Sequence, residues 1–225
     1  MSRWEQIDTA PIPGNAGVLR LYKRDGDFAI RIAGGQGDLM NSRTHDSEDA
    51  LGQLGCTAAG KRPHAKVLVG GLGMGFTLAA ALKCLAPDAR VIVAELVPDV
   101  IRWNQGLVGN CAGNPLNDQR VSMETVDVRE LIGNAKAAFD AILLDVDNGP
   151  EGLTHPHNDH LYSLQGLARA YTALRPGGTL AVWSATPAPR FAARLPKVGF
   201  LVDERRIRAH RGKGSRHVIW LATRR

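Results

Sequence analysis

The sequence predicts an α/β fold: a doubly wound sheet of seven strands, the last two an antiparallel hairpin, preceded by a short N-terminal β-hairpin unit. Three observations predict it. Strand-type and helix-type runs alternate from residue 66 onward. One of them, Val67-Leu68-Val69, enters Gly70-Gly71-Leu72-Gly73-Met74-Gly75 and leaves as a helical pattern, with Ala94-Glu95 about twenty residues further on. The last two apolar runs are separated only by Ala209-His210-Arg211-Gly212-Lys213-Gly214, too little chain for a parallel crossover.

The elements follow in order. Residues 17–22 and 27–32 alternate apolar and polar around Lys23-Arg24-Asp25-Gly26, and Asp-Gly accepts the positive φ of a tight hairpin turn. Residues 49–54 read as a short helix with a Thr, Asp or Ser cap in the preceding Thr44-His45-Asp46-Ser47. These form a unit over 1–60, and the larger domain occupies 61–225. Its strands are expected at 66–70, 91–95, 121–126, 139–145, 179–184, 200–205 and 216–223. Helices are expected at 76–86, 97–110, 128–136 and 160–174.

At 225 residues, one α/β domain with a substantial core is affordable. No stretch approaches the ~20 apolar residues of a membrane span, and Met1-Ser2-Arg3-Trp4-Glu5 lacks an apolar secretory region. Cys56, Cys84 and Cys111 are three and widely spaced, which argues for reduced thiols in the cytoplasm rather than a disulfide or zinc framework.

The glycine spacing narrows the ligand. A strand, a glycine turn, a helix and a second strand ending in an acid form a nucleoside-binding half of an open sheet, the acid accepting both ribose hydroxyls. A dinucleotide pattern needs a third glycine, but Phe76 stands there counted from Gly71, and Leu78 counted from Gly73. The G-x-G-x-G of Gly71, Gly73 and Gly75 instead resembles motif I of the class I S-adenosylmethionine-dependent transferases, which makes the expected fold class I methyltransferase-like. Three acids stand at carboxyl ends of successive strands: Glu95, Asp127 and Asp145. Glu95, with Leu96, is expected at the ribose, and Asp127, with Val128, at the adenine amino group. Asp145 is expected near the sulfonium and the nucleophile. For Asp127 the bland alternative is capping of the helix that follows.

Around Asp145 runs Asp145-Val146-Asp147-Asn148-Gly149-Pro150-Glu151-Gly152-Leu153, then Leu161-Tyr162. With Glu95-Leu96-Val97-Pro98, Asp118-Gln119-Arg120-Val121 and Leu174-Arg175-Pro176-Gly177-Gly178, this resembles the spermidine synthase family, from residue 66 to about 185. The resemblance implies aminopropyl transfer from decarboxylated S-adenosylmethionine, catalytic roles for Asp145 and Asp147, a small-molecule acceptor, and a homodimer.

Three departures redirect that implication. Met74 stands where the family's glycine loop carries an aspartate that pairs with the cationic propylamine of the decarboxylated cofactor. Two charges ~4 Å apart at an effective dielectric of ~20 interact by ~4 kcal/mol, so this exchange alone changes cofactor preference by orders of magnitude. One residue, not two, separates Asp145 from Asp147. Thr44-His45-Asp46-Ser47-Glu48 replaces the family's Tyr-His-Glu. The leading expectation is therefore methyl transfer from S-adenosylmethionine to a small molecule, such as an amine, held by His45, Glu48, Glu151, His155 and Tyr162. Aminopropyl transfer is the alternative. An RNA methyltransferase and a non-catalytic adenosine-binding module rank below both.

The remaining features read blandly. His155-Pro156-His157-Asn158-Asp159-His160 lacks the fixed geometry of a metal site, and no metal is assigned. Arg205, Arg206, Arg208, Arg211, Lys213, Arg216, Arg224 and Arg225 make the last hairpin basic, but few aromatics accompany them, so nucleic acid is not the favoured partner.

Overall fold

The computed structural model describes residues 3–35, 37–146, 149–150, 160–210 and 213–225; for 15, 209, 210, 213 and 214 it describes the backbone alone. Two sheets organise the chain. The first is antiparallel, in the order β1 (Glu5–Pro11), β2 (Val18–Arg24), β3 (Asp27–Ile32), β4 (Met40–Asn41). The expected hairpin is its centre, with Asp25 at φ 54° in the turn. The two outer strands escape sequence reading for physical reasons. β1 is mostly exposed and shifts register between Gln6 and Asp8, so it carries no clean alternation. β4 is only two residues long.

The second sheet contains β5 (Lys66–Gly70), β6 (Arg90–Ala94), β7 (Val121–Glu124), β8 (Phe139–Leu144), β9 (Leu174–Ser184), β10 (Phe200–His210) and β11 (Lys213–Arg224). Their spatial order is β10-β11-β9-β8-β5-β6-β7, parallel from β9 to β7, with β11 antiparallel to both neighbours. The order reverses between β5 and β8, the place where open α/β sheets bind ligands. β5 and β8 are buried on both faces, as central parallel strands require. β9 starts earlier than expected because Leu174 already pairs with Phe139, and the register shift beyond it absorbs the Pro176-Gly177-Gly178 turn.

Helices cover the sheet: α1 (Asp46–Cys56), α2 (Phe76–Cys84), α3 (Pro98–Gln105), α4 (Val128–Gly133), α5 (Leu164–Ala173) and two single turns, α6 (Pro189–Ala192) and α7 (Leu195–Val198). The last two are too short to show periodicity. α3 stops before the expected residue 110 because Gly106 leaves helical space at φ −108°, ψ −132°. The cap of α1 is also a correction. His45 occupies the cap position without a side-chain cap bond, and its Nδ1 lies 2.8 Å from Asp49 Oδ2 instead.

α1 lies flat on α2 and the sheet because two glycines face inward. A Cβ at Gly52 would stand 2.5 Å from the Thr77 carbonyl oxygen, and one at Gly55 2.2 Å from Leu143 Cδ2. One apolar core joins this face to the N-terminal sheet, from Leu21 and Ile30 to Val67, Leu143 and Ile219. A second fills the opposite face around Leu68, Ile142, Phe191 and Trp220.

Candidate functional site

A cavity of about 420 Å³ opens at the carboxyl ends of β5, β6 and β8, a size that suits a small organic ligand. Its roof is apolar and comes from the N-terminal sheet and the segment before β4: Ile12, Leu19, Ile30, Ile32, Leu39 and Met40. Its floor is the glycine turn and the strand-end acids. Gly71, Gly73 and Gly75 have φ of 87°, 54° and 84°, a region closed to most side chains. At Gly71 sterics add to this, since a Cβ would stand 2.3 Å from the Asp145 carbonyl oxygen. The turn is closed by Gly71 N–H donating to Ala94 O at 2.9 Å and Gly75 N–H to Leu72 O at 2.8 Å.

Glu95 reaches the cavity from the end of β6 and is 8% exposed. Its Oε2 accepts the Leu72 N–H and its Oε1 the Val97 N–H, both at 2.9 Å. These bonds fix the carboxylate between the glycine turn and the start of α3. A carboxylate so oriented, beside a cradle that only glycine can line, fits a ribose diol. Leu96 lines the same wall.

Asp127 also borders the cavity, but its carboxylate is engaged locally. It caps α4 by accepting the Arg129 N–H at 2.8 Å, and it pairs with the Arg129 guanidinium at 2.9 and 2.6 Å. The capping alternative weighed from the sequence therefore describes its visible bonds. Val128 lines the cavity next to it and is buried.

At the other end stand two carboxylates that the sequence places almost a hundred residues apart. Asp145 leaves the end of β8, and its Oδ2 accepts the Thr77 hydroxyl at 2.7 Å. Glu48 enters from α1, where its Oε2 accepts the Ser47 hydroxyl at 2.7 Å. Both line the cavity. Burial, and for Glu48 also the charge of Asp145, pushes both acids well above the usual carboxylate range. Two like charges in a poorly solvated pocket resist ionising together near neutral pH, and either a bound proton or a cation relieves them. Arg129 is the one basic residue among the described cavity-lining residues, and Asp127 already holds its guanidinium.

The other residues singled out from the sequence fall as follows. Met74 lines the cavity and is 2% exposed. His45 stacks on Phe76 with ring centroids 4.0 Å apart, next to the cavity rather than lining it. Tyr162 is away from the cavity. Its ring is buried in the second core, edge-on to Phe191 at 5.5 Å. Asp147, Glu151 and His155 lie outside the described residues. Sequence reading passed over Thr77, Ser47, Trp183 and the apolar roof. Thr77 stood in plain view beside the glycine turn, whereas nothing local marks the others.

The basic hairpin is partly engaged with its own strands. Arg205 pairs with Asp203 at 2.7 Å and Arg206 with Glu204 at 3.2 Å. Arg224 donates to carbonyls at the end of α5. Among the described residues no cluster of His, Cys, Asp and Glu is arranged to hold a metal ion, and no helix is long and apolar enough to cross a membrane.

No protein-family model matches the sequence, and no curated protein is significantly similar to it. Solved structures are. A spermidine synthase in complex with the transition-state analogue AdoDATO superposes with a TM-score of 0.71 at 17% identity, over 99% of this chain and 72% of the other. Spermidine synthase from Thermotoga maritima matches equally, with a TM-score of 0.71 at 18% identity and the same coverage. A probable spermidine synthase from Corynebacterium glutamicum gives 0.63 at 16%, over 99% and 80%. The sheet order, the antiparallel last hairpin and the separate N-terminal sheet thus constitute a spermidine synthase-like fold.

Proposed function

We propose that this chain is a transferase that moves an alkyl group from the sulfonium of an S-adenosylmethionine-type donor to an amine, and that the group is the aminopropyl of the decarboxylated donor. The observation that carries this reading is the Glu48–Asp145 pair at the end of the cavity opposite Glu95. A donor ending in an ammonium, and an acceptor that is itself an amine, both bring positive charge to two carboxylates that no Lys or Arg among the described residues pairs with. The structural likeness to spermidine synthases supports the same choice over methyl transfer.

In this reading the donor supplies an electrophilic carbon on a positively charged sulfur. Glu95 holds the ribose and so sets the depth of the donor in the cleft. The apolar roof of Ile12, Leu19, Ile30 and Met40 excludes water from the reacting carbon. Asp145, held by the Thr77 hydroxyl, orients the amine and takes its proton. Positioning of this kind supplies much of the rate enhancement in bimolecular displacements.

A second reading, methyl transfer from S-adenosylmethionine itself, is favoured by Met74. An apolar side chain at that point of the glycine turn offers no partner for a propylamine end and no repulsion to an amino-acid carboxylate. Calorimetric titration with the two donors separates the readings. Tighter binding of the decarboxylated form, with transfer to a diamine, is the expected result. Preference for S-adenosylmethionine would overturn aminopropyl transfer, and binding of neither would overturn both.

A further inference from the structure

We propose that Ser47 and His217 form a proton-conducting chain that connects the Glu48–Asp145 pair to solvent at Ser215, making His217 a positioning residue for the transfer reaction. The inference rests on the amine-transfer reading above. It starts from a contact across 170 residues of sequence: the Ser47 hydroxyl lies 2.9 Å from His217 Nδ1. On its other side the same hydroxyl lies 2.7 Å from Glu48 Oε2. His217 Nε2 in turn lies 3.1 Å from the Ser215 hydroxyl, on an exposed residue. Ser47 itself is 1% exposed, so the chain runs from the cavity through the interior and ends at the surface.

The order of groups suits proton conduction. A carboxylic acid, a hydroxyl, an imidazole and a second hydroxyl can each accept a proton on one side and release one on the other. With Glu48 protonated, its O–H donates to Ser47, Ser47 to Nδ1, and Nε2–H to Ser215. With Glu48 ionised every bond reverses, the imidazole changing tautomer. The ring is held for this role: it meets Trp183, a cavity-lining residue, edge-on at 4.9 Å, and burial pushes its pKa down, which keeps it neutral.

Among the described residues the groups facing it are few. From α1 come Ser47 and, beyond it, Glu48; from β9 comes Trp183; from β10 comes Ile207 directly opposite. Arg205, on the same face of β10, is occupied by Asp203.

The reaction needs such an exit. An alkylamine arrives protonated, and its lone pair becomes available only when one N–H proton passes to the carboxylate pair. The C–N bond then forms as the C–S bond breaks. Sulfur keeps the electron pair as a neutral thioether, and nitrogen carries the positive charge of the product ammonium. One proton per turnover is left on the carboxylates beneath an apolar roof, and the chain returns it to water.

The test uses the whole 225-residue chain. Side-chain ¹⁵N NMR of His217 is followed over pH in the wild type and in Glu48→Gln, a readout that needs no turnover. The expected result is a change in the His217 tautomer or titration when Glu48 can no longer ionise; a His217 indifferent to that substitution would overturn the chain. Transfer to a diamine is then measured in Ser47→Ala and His217→Gln. A fall in kcat of ~10-fold or more, with little change in KM and an altered pH profile, is expected. Unchanged kcat and profile in both variants would overturn the role of the chain. Absence of transfer in the wild type, with the NMR coupling intact, would instead overturn the functional reading and leave the hydrogen-bonded chain standing.

Discussion

Replacing Glu48 by Gln should stabilise the protein at pH 8 and leave it unchanged at pH 4. Burial and the neighbouring Asp145 charge raise the Glu48 carboxyl from the ordinary 4.5 to about 7. The folded state therefore binds this proton more tightly than the unfolded chain does. Stability associated with it is fully present below about pH 4.5 and is lost as pH rises through about 7. At 1.36 kcal/mol per pH unit, the span corresponds to about 3 kcal/mol of stability lost at pH 8. Glutamine cannot ionise, so it avoids this loss while keeping an acceptor for the Ser47 hydroxyl. For a chain of this size, about 3 kcal/mol is a rise in Tm of roughly 6–12 °C. Thermal melts of both proteins at pH 4, 6 and 8 measure it. An equal effect at every pH, or destabilisation at pH 8, would refute the claim that the carboxylate is held at a cost. The same substitution should abolish the site's affinity for a diamine, so stability and binding move in opposite directions.

Three further outcomes follow from the geometry. Met74→Asp places a carboxylate in the wall of the cavity and should shift calorimetric preference toward the decarboxylated donor by at least ~10-fold, from an interaction worth up to ~4 kcal/mol. Glu95→Ala removes the acceptor for the Leu72 and Val97 N–H groups along with the expected ribose contact. Donor affinity should fall by ~1.5–3 kcal/mol, with a smaller loss of Tm. Asp140→Ala leaves Arg62 and Arg175 without the carboxylate, only 1% exposed, that both donate to at 2.8 Å. Urea unfolding should show a loss of ~1–3 kcal/mol, chiefly from the Lys66 N–H left without its acceptor, since both guanidinium groups are partly exposed and can hydrate, with donor affinity unchanged because this cluster is at the opposite end of the sheet from the cavity.

The sequence by itself determined the seven-stranded sheet, the central hairpin of the N-terminal sheet and the acids at the strand ends. These are local properties. Strand and helix periods, an Asp-Gly turn and a glycine run between strand and helix are written within a few residues of one another, and the parallel sheet follows from their alternation. The same local logic located the cavity, because ligands in such sheets lie beyond the carboxyl ends of the strands. Tertiary structure alone decided what the cavity contains. Glu48 meets the field of Asp145 only because Gly52 and Gly55 let α1 settle onto α2 and β8. Ser47 meets His217 only because β11 folds back between β9 and β10 to pass under that helix. The hairpin becomes a roof only because the tertiary fold sets Leu19, Ile30 and Ile32, with Met40 of β4 beside them, over the glycine turn. Tyr162 marks the opposite limit. Its place after the Asp145 segment suggested a substrate contact, but its ring belongs to the second core, edge-on to Phe191 from a distant segment. Asp127 combines both roles read from the sequence, bordering the cavity and capping α4.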